Sequence, residues 1–286
     1  MAGSDRHAEA TRAEALEAAP APLPEGPLRR WPWLTFLAPF LVYMAATEWE
    51  PSPPPPRDAS WSSEGEATAE DPFAAADRAE YRQYPVRYAL KIGLTLAAMW
   101  LVRGGYRTFP WQVHPSAIVV GTVGAAAWIG LCRLNLEPVL LGPFGLADYF
   151  RELGQRPAFN PLTELRDSPA WAYVFLAIRF VGLALVVPVI EEFFLRGFVM
   201  RVAVHDQWDK VPFGTPTRAA LIAGTLVPML MHPSELLAAC VWFSLISWLM
   251  VRTRNIWDCV VAHGVTNLLM GLYVVAVGTP EAWQLM

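Results

Sequence analysis

Apolar runs bounded by polar or charged residues repeat along most of the chain: Trp31 to Thr47, Val86 to Val102, Ser116 to Cys132, Trp171 to Val187, Pro188 to Val204, Arg218 to Met231, Leu236 to Val251 and Ile256 to Val277. A helix rising 1.5 Å per residue needs about 20 apolar residues to cross a hydrocarbon core of about 30 Å. The pattern predicts an all-α polytopic membrane protein, a bundle of about seven or eight transmembrane helices. Several runs are short enough to be half-spans. The fourth and fifth runs meet at Pro188 and are read as one long helix kinked there, because an interior proline removes one backbone hydrogen bond.

The intervening segments are polar. Residues 1–30 form an acidic leader with Glu9, Glu14, Glu17 and Glu25, expected to be a disordered cytoplasmic tail without a secretory signal. The membrane-embedded domain then runs over 31–286, with a Pro/Glu-rich loop at 48–84. Within the connection from Arg133 to Ser168, Asp148 to Leu153 reads as a short surface helix. Basic residues cluster at Arg29 and Arg30, at Arg103 and Arg107, around Arg201, Lys210 and Arg218, and at Arg252 and Arg254. Lys and Arg are retained on the cytoplasmic side, and all four groups fall there only if Trp171 to Val204 crosses once. That gives about seven crossings with the N-terminus cytoplasmic.

Composition agrees with this reading. The 286 residues are 54% hydrophobic and only 17% charged, with mean hydropathy +0.30, against roughly 25% charged in soluble domains. The net charge of -4 leaves no basic footprint, which argues against nucleic acid as a partner. Cys132, Cys240 and Cys259 lack CxxC spacing and are read as membrane thiols.

Polar residues interrupt the apolar chain at three places. Glu191, Glu192 and Arg196 lie in Pro188-Val189-Ile190-Glu191-Glu192-Phe193-Phe194-Leu195-Arg196. Carboxylates at bilayer depth are costly unless paired or hydrated, so this pair calls for a functional reason. On a helix Arg196 shares a face with Glu192, four residues back, while Glu191 projects about 100° away. Arg196 can thus neutralise Glu192, leaving Glu191 free to act as a general base on water. His232 ends the next run, and His263 with Asn267 recurs at i and i+4 in the last. An imidazole and a carboxamide on one face can donate hydrogen bonds to an oxyanion, and imidazoles can also bind metal. The same groups could instead make structural ion pairs or interhelical hydrogen bonds.

In this order and spacing, Glu191-Glu192-(three residues)-Arg196, His232 and His263-(three residues)-Asn267 resemble the three motifs of the CPBP intramembrane proteases, the family of CAAX endopeptidases and bacteriocin-processing proteins. The stretch from Val251 to His263 is similar to bacterial CAAX-protease-related proteins found with exosortase and PEP-CTERM sorting systems. One position departs: the family usually carries an aromatic residue four places before the second-motif histidine, and here that place is Pro228. The resemblance implies a membrane-embedded polar cavity, a catalytic core at about 171–277 and peptide-bond hydrolysis without an acyl-enzyme. By it Glu191 activates water, His232 assists or helps hold the water or a metal, His263 with Asn267 stabilises the oxyanion, and Glu192 held by Arg196 supports the site.

Glu191, His232 and His263 would be the candidate ligands for zinc, although no HExxH spacing is present and a metal-independent route stands beside it. The expected function is an intramembrane endopeptidase acting on a membrane-anchored protein or peptide in a bacterial inner membrane, with exosortase-system components as candidate partners. The alternative is a non-proteolytic scaffold or assembly factor of the same fold in a protein-sorting or exopolysaccharide system. A proton-coupled transporter would also use buried carboxylates, but no inverted repeat is evident.

Overall fold

The computed structural model describes residues 26–51, 79–154 and 156–286. The leader and the Pro/Glu-rich loop expected at 1–30 and 48–84 therefore fall largely outside the described residues. The principal helices are α1 Trp33–Thr47, α2 Tyr84–Leu101, α3 Pro115–Leu134, α4 Pro169–Val202, α5 Arg218–Met231, α6 Leu236–Thr253 and α7 Ile256–Val277. No strand occurs among the described residues. This is an all-α integral membrane protein: α3, α4, α7 and the stretch containing α6 are each long and apolar enough to cross a bilayer, with α1 and α5 as shorter apolar helices. Leucines, valines and tryptophans such as Leu41, Leu90, Val119, Leu185, Leu226 and Trp248 lie exposed on the outside of the bundle, where lipid replaces water as solvent. The expected surface helix is present as Ala147–Leu153.

Local sequence sets the helix ends. The Thr217 hydroxyl accepts from the Ala220 N–H to start α5, and Asn255 Oδ1 accepts from the Trp257 N–H to start α7. Gly278 closes α7 at φ 70°, the left-handed conformation that costs glycine nothing.

The fourth and fifth apolar runs form one continuous helix of 34 residues. At 1.5 Å per residue α4 is roughly 50 Å long, well beyond the core of a bilayer. Arg201 near its end is buried by donating to the carbonyls of Gly197, Asp209 and Val211, which folds the following loop back onto it. The break lies around Pro188 as two wider turns rather than as a simple proline kink: π-helical segments span Gly182–Val186 and Phe193–Val199 on either side of α-helical Val187–Glu192. Such insertions re-register a helix and absorb the bond a proline removes. The two glutamates sit in the short α-helical stretch between them.

α4 is central. On one side Phe40 of α1 stacks on Phe194 with centroids 4.0 Å apart, and Phe36 lies 6.0 Å from Phe193. On the other, α7 approaches so closely that a Cβ on Gly264 would sit 2.7 Å from the Ala184 carbonyl oxygen. α7 also packs on α3, where Thr266 Oγ1 donates to the Gly121 carbonyl at 2.8 Å. α5 and α6 close the bundle, with Phe243 and Ile246 of α6 fully buried.

Candidate active site

Glu191 and Glu192 project from the α4 segment held between its two π turns, and α7 brings His263 against both. Glu192 is fully buried and ion-paired. Its Oε1 accepts from His263 Nδ1 at 2.8 Å, and its Oε2 lies 3.1 Å from Arg196 Nε. Arg196, also fully buried, turns Nη2 toward the Phe243 carbonyl (3.3 Å) and Ser247 Oγ (3.4 Å), and its guanidinium lies over the Phe243 ring. The i, i+4 pairing expected from sequence is therefore present, and Arg196 also ties α4 to α6.

Glu191 is held differently. It is 8% exposed, its Oε2 accepts no hydrogen bond from the protein, and that atom lies 3.9 Å from His263 Nε2. This separation is too long for a direct hydrogen bond and within the span of one bridging water. A buried carboxylate oxygen without a protein partner is energetically expensive.

The histidines differ too. With Nδ1 donating to Glu192, the ring of His263 presents Nε2 to Glu191. His232 Nδ1 donates to the Pro228 carbonyl at 2.8 Å, leaving Nε2 available. Pro228, where the related motif carries an aromatic residue, thus supplies through its carbonyl the bond that orients His232. The Phe243 ring packs against both histidines, its centroid 5.5 Å from that of His232 and 6.2 Å from that of His263. Trp128 packs on the other side of His232. Asn267 Nδ2 donates to the Leu183 carbonyl at 2.9 Å, within the first π segment, and has a second N–H to spare.

Glu191, Glu192, Arg196 and His263 thus form one connected cluster. Asn267 sits one turn further along α7, and His232 packs on the same Phe243 ring as His263. Neither makes a hydrogen bond to a glutamate among the described residues. Among those residues no group of three or more His, Cys, Asp or Glu side chains is disposed to hold a metal ion. The three cysteines are free thiols.

Several buried charges were not singled out from sequence. Lys91 Nζ pairs with Glu50 Oε1 at 2.5 Å and lies between the rings of Tyr43 and Tyr88. Arg179 donates to the Phe159 carbonyl at 2.6 Å. Asp258, fully buried, accepts from the His114 backbone N–H and lies 2.7 Å from His114 Nδ1. Each is an ionisable residue inside or at the end of an apolar run, the signal that could have found it.

The bundle and its buried glutamate–histidine cluster define a polytopic membrane protein with groups suited to activating water. Residues 172–269 match the family model described as Type II CAAX prenyl endopeptidase Rce1-like, and the matched stretch holds all three motifs. No curated protein and no solved structure matches the chain.

Proposed function

We propose that this protein is an intramembrane endopeptidase of the CAAX-processing kind, which hydrolyses a peptide bond of a membrane-associated substrate with water activated by Glu191. The observation that carries this reading is the contrast between two adjacent buried glutamates: Glu192 engaged by Arg196 and His263, and Glu191 with an oxygen unsatisfied by the protein and aimed at His263 Nε2. The family-model match over 172–269 supports the same class of reaction.

In this reading a water bridges Glu191 Oε2 and His263 Nε2. Glu191 takes a proton from it as the water oxygen bonds to the scissile carbonyl carbon, and the carbonyl electron pair moves onto its oxygen. That oxyanion meets the ring edge of His263 and the spare N–H of Asn267. Collapse breaks the C–N bond, and the proton on Glu191 passes to the leaving nitrogen. Glu192 and Arg196 hold the imidazole in place, which makes them positioning residues. His232, oriented by Pro228, offers Nε2 from the opposite wall.

The test is cleavage by the purified protein in liposomes of an internally quenched farnesyl-cysteine peptide carrying three aliphatic residues beyond the cysteine. Release of the intact three-residue fragment, identified by mass spectrometry, is expected. An uncut peptide under conditions where the protein remains folded would overturn the assignment.

A further inference from the structure

α1 and α4 run antiparallel along a shared seam. A Cβ on Gly197 would sit 2.5 Å from the Phe36 ring, and one turn further along α1 Phe40 stacks on Phe194 with centroids 4.0 Å apart. Positions therefore rise along α1 as they fall along α4. Tyr43 follows Phe40 by three residues and Glu191 precedes Phe194 by three, and residues three apart on a helix are neighbours about 5–6 Å away. The next contact of the seam sets Tyr43 against Glu191. In agreement, Tyr43 and Met231 both pack on the buried apolar cluster that contains Ile190, and the Glu191 charge acts on the Tyr43 phenol.

Glu191 can be approached from two helices. It also follows Pro188 by three residues, and Pro188 lies on the face of α4 that meets Gly264 of α7. Glu191 thus stands between the face toward α7 and the face toward α1. From α7, His263 Nε2 lies 3.9 Å from Glu191 Oε2. Oε1 is the oxygen left for a partner from α1. Tyr43 has a donor to offer: Lys91 Nζ, paired with Glu50, lies 4.5 Å from the centroid of its ring, while its hydroxyl makes no hydrogen bond among the described residues. A phenol with a fixed ring and a free O–H is costly in a half-buried setting unless another polar group satisfies it.

We propose that Tyr43 is a positioning residue of the site: its hydroxyl donates to Glu191 Oε1, directly or through one water, and so keeps Oε2 on the water shared with His263 Nε2. The inference rests on the endopeptidase reading and deepens it with a group from α1, outside the residues 172–269 that match the family model. A carboxylate free to pivot spends less time aimed at its water. A charge-assisted hydrogen bond to one oxygen fixes the direction of the other.

Tyr43→Phe removes the hydroxyl and keeps the ring beside Lys91. Infrared difference spectra between the wild type and Glu191→Gln isolate the Glu191 carboxyl band, and the same difference taken in the Tyr43→Phe background is expected to show that band displaced. In liposomes Tyr43→Phe should lower kcat for the quenched farnesyl-cysteine peptide about tenfold or more, the worth of one hydrogen bond to a charged group, with KM within about twofold and the unfolding midpoint unchanged. Tyr43→Leu also takes the ring away from Lys91 and should lower the midpoint as well. An unmoved band, an unchanged kcat, a change confined to KM, or a loss of kcat that tracks a lowered midpoint in Tyr43→Phe overturns the proposal. A displaced band in a wild-type protein that cuts no peptide would instead count against the endopeptidase reading alone.

Discussion

Replacing Glu192 by leucine removes two interactions at once, and the structure allows them to be separated. Arg196 would remain fully buried with Nε and Nη1 without partners, held only by the contacts of Nη2 to Phe243 and Ser247. An uncompensated buried charge of this kind costs about 3–5 kcal/mol. His263 Nδ1 would also lose its acceptor, a further penalty of about 1–3 kcal/mol. Arg196→Met removes the cation instead and leaves Glu192 with His263, so it should cost about 3 kcal/mol, the lower end for breaking such a pair. In the double variant both charges are gone. It should regain most of the ion-pair loss and keep only the penalty of about 1–3 kcal/mol at His263. Reversible unfolding of the four proteins in mixed detergent and dodecyl sulfate micelles gives the cycle directly. A coupling below about 0.5 kcal/mol, with the two single losses simply adding, would refute the buried pair as the element that holds this part of α4.

Other consequences follow from neighbouring contacts. Gly264→Ala places a methyl 2.7 Å from the Ala184 carbonyl, so α7 must move off α4; a loss of about 1–3 kcal/mol in the same unfolding assay is expected, and an unchanged midpoint would contradict the close approach. Lys91→Met leaves Glu50 buried without its cation and removes the contacts to Tyr43 and Tyr88; it should lower stability by about 3 kcal/mol, with Lys91→Arg recovering part of it in thermal aggregation scans. Because no three ligating side chains among the described residues are disposed to hold a metal ion, a zinc chelator should change peptide turnover by less than about twofold. Loss of turnover that added zinc restores would show that the side chains close around a metal during the reaction.

Much of the architecture was written in the apolar pattern, and the exceptions have physical causes. The bounds of α5 and α7 coincide with the runs Arg218 to Met231 and Ile256 to Val277, because capping residues and polar loops stop those helices where the hydrophobicity stops. The fourth and fifth apolar runs, expected to join through Pro188, do form one continuous α4. Its two π segments were not legible. A shift from i→i+4 to i→i+5 bonding reflects how the helix packs against α1 and α7 rather than the identity of any one residue.

The site divides in the same way. Helical spacing reveals only which residues share a face of one helix, so the Glu192–Arg196 pair could be read from sequence. The 2.8 Å contact between Glu192 and His263 joins residues 71 apart in the chain and depends on how closely α7 meets α4, which Gly264 permits. Asn267 donates one N–H to the Leu183 backbone. That acceptor lies in a π turn, so it stayed hidden with the turn itself. Lys91, Arg179 and Asp258 were visible as charges in apolar runs, but their partners come from distant segments and only the folded chain assigns them.

The central claim is the division of labour between adjacent carboxylates, and turnover of the Glu191→Gln protein tests it most directly. The variant keeps the size of the side chain and leaves Glu192, Arg196 and His263 in contact, so it should fold and bind the quenched farnesyl-cysteine peptide as the wild type does. Its cleavage rate in liposomes should fall by about 10²–10⁴-fold, the contribution of a positioned general base. Cleavage at the wild-type rate by Glu191→Gln would contradict the account at its core.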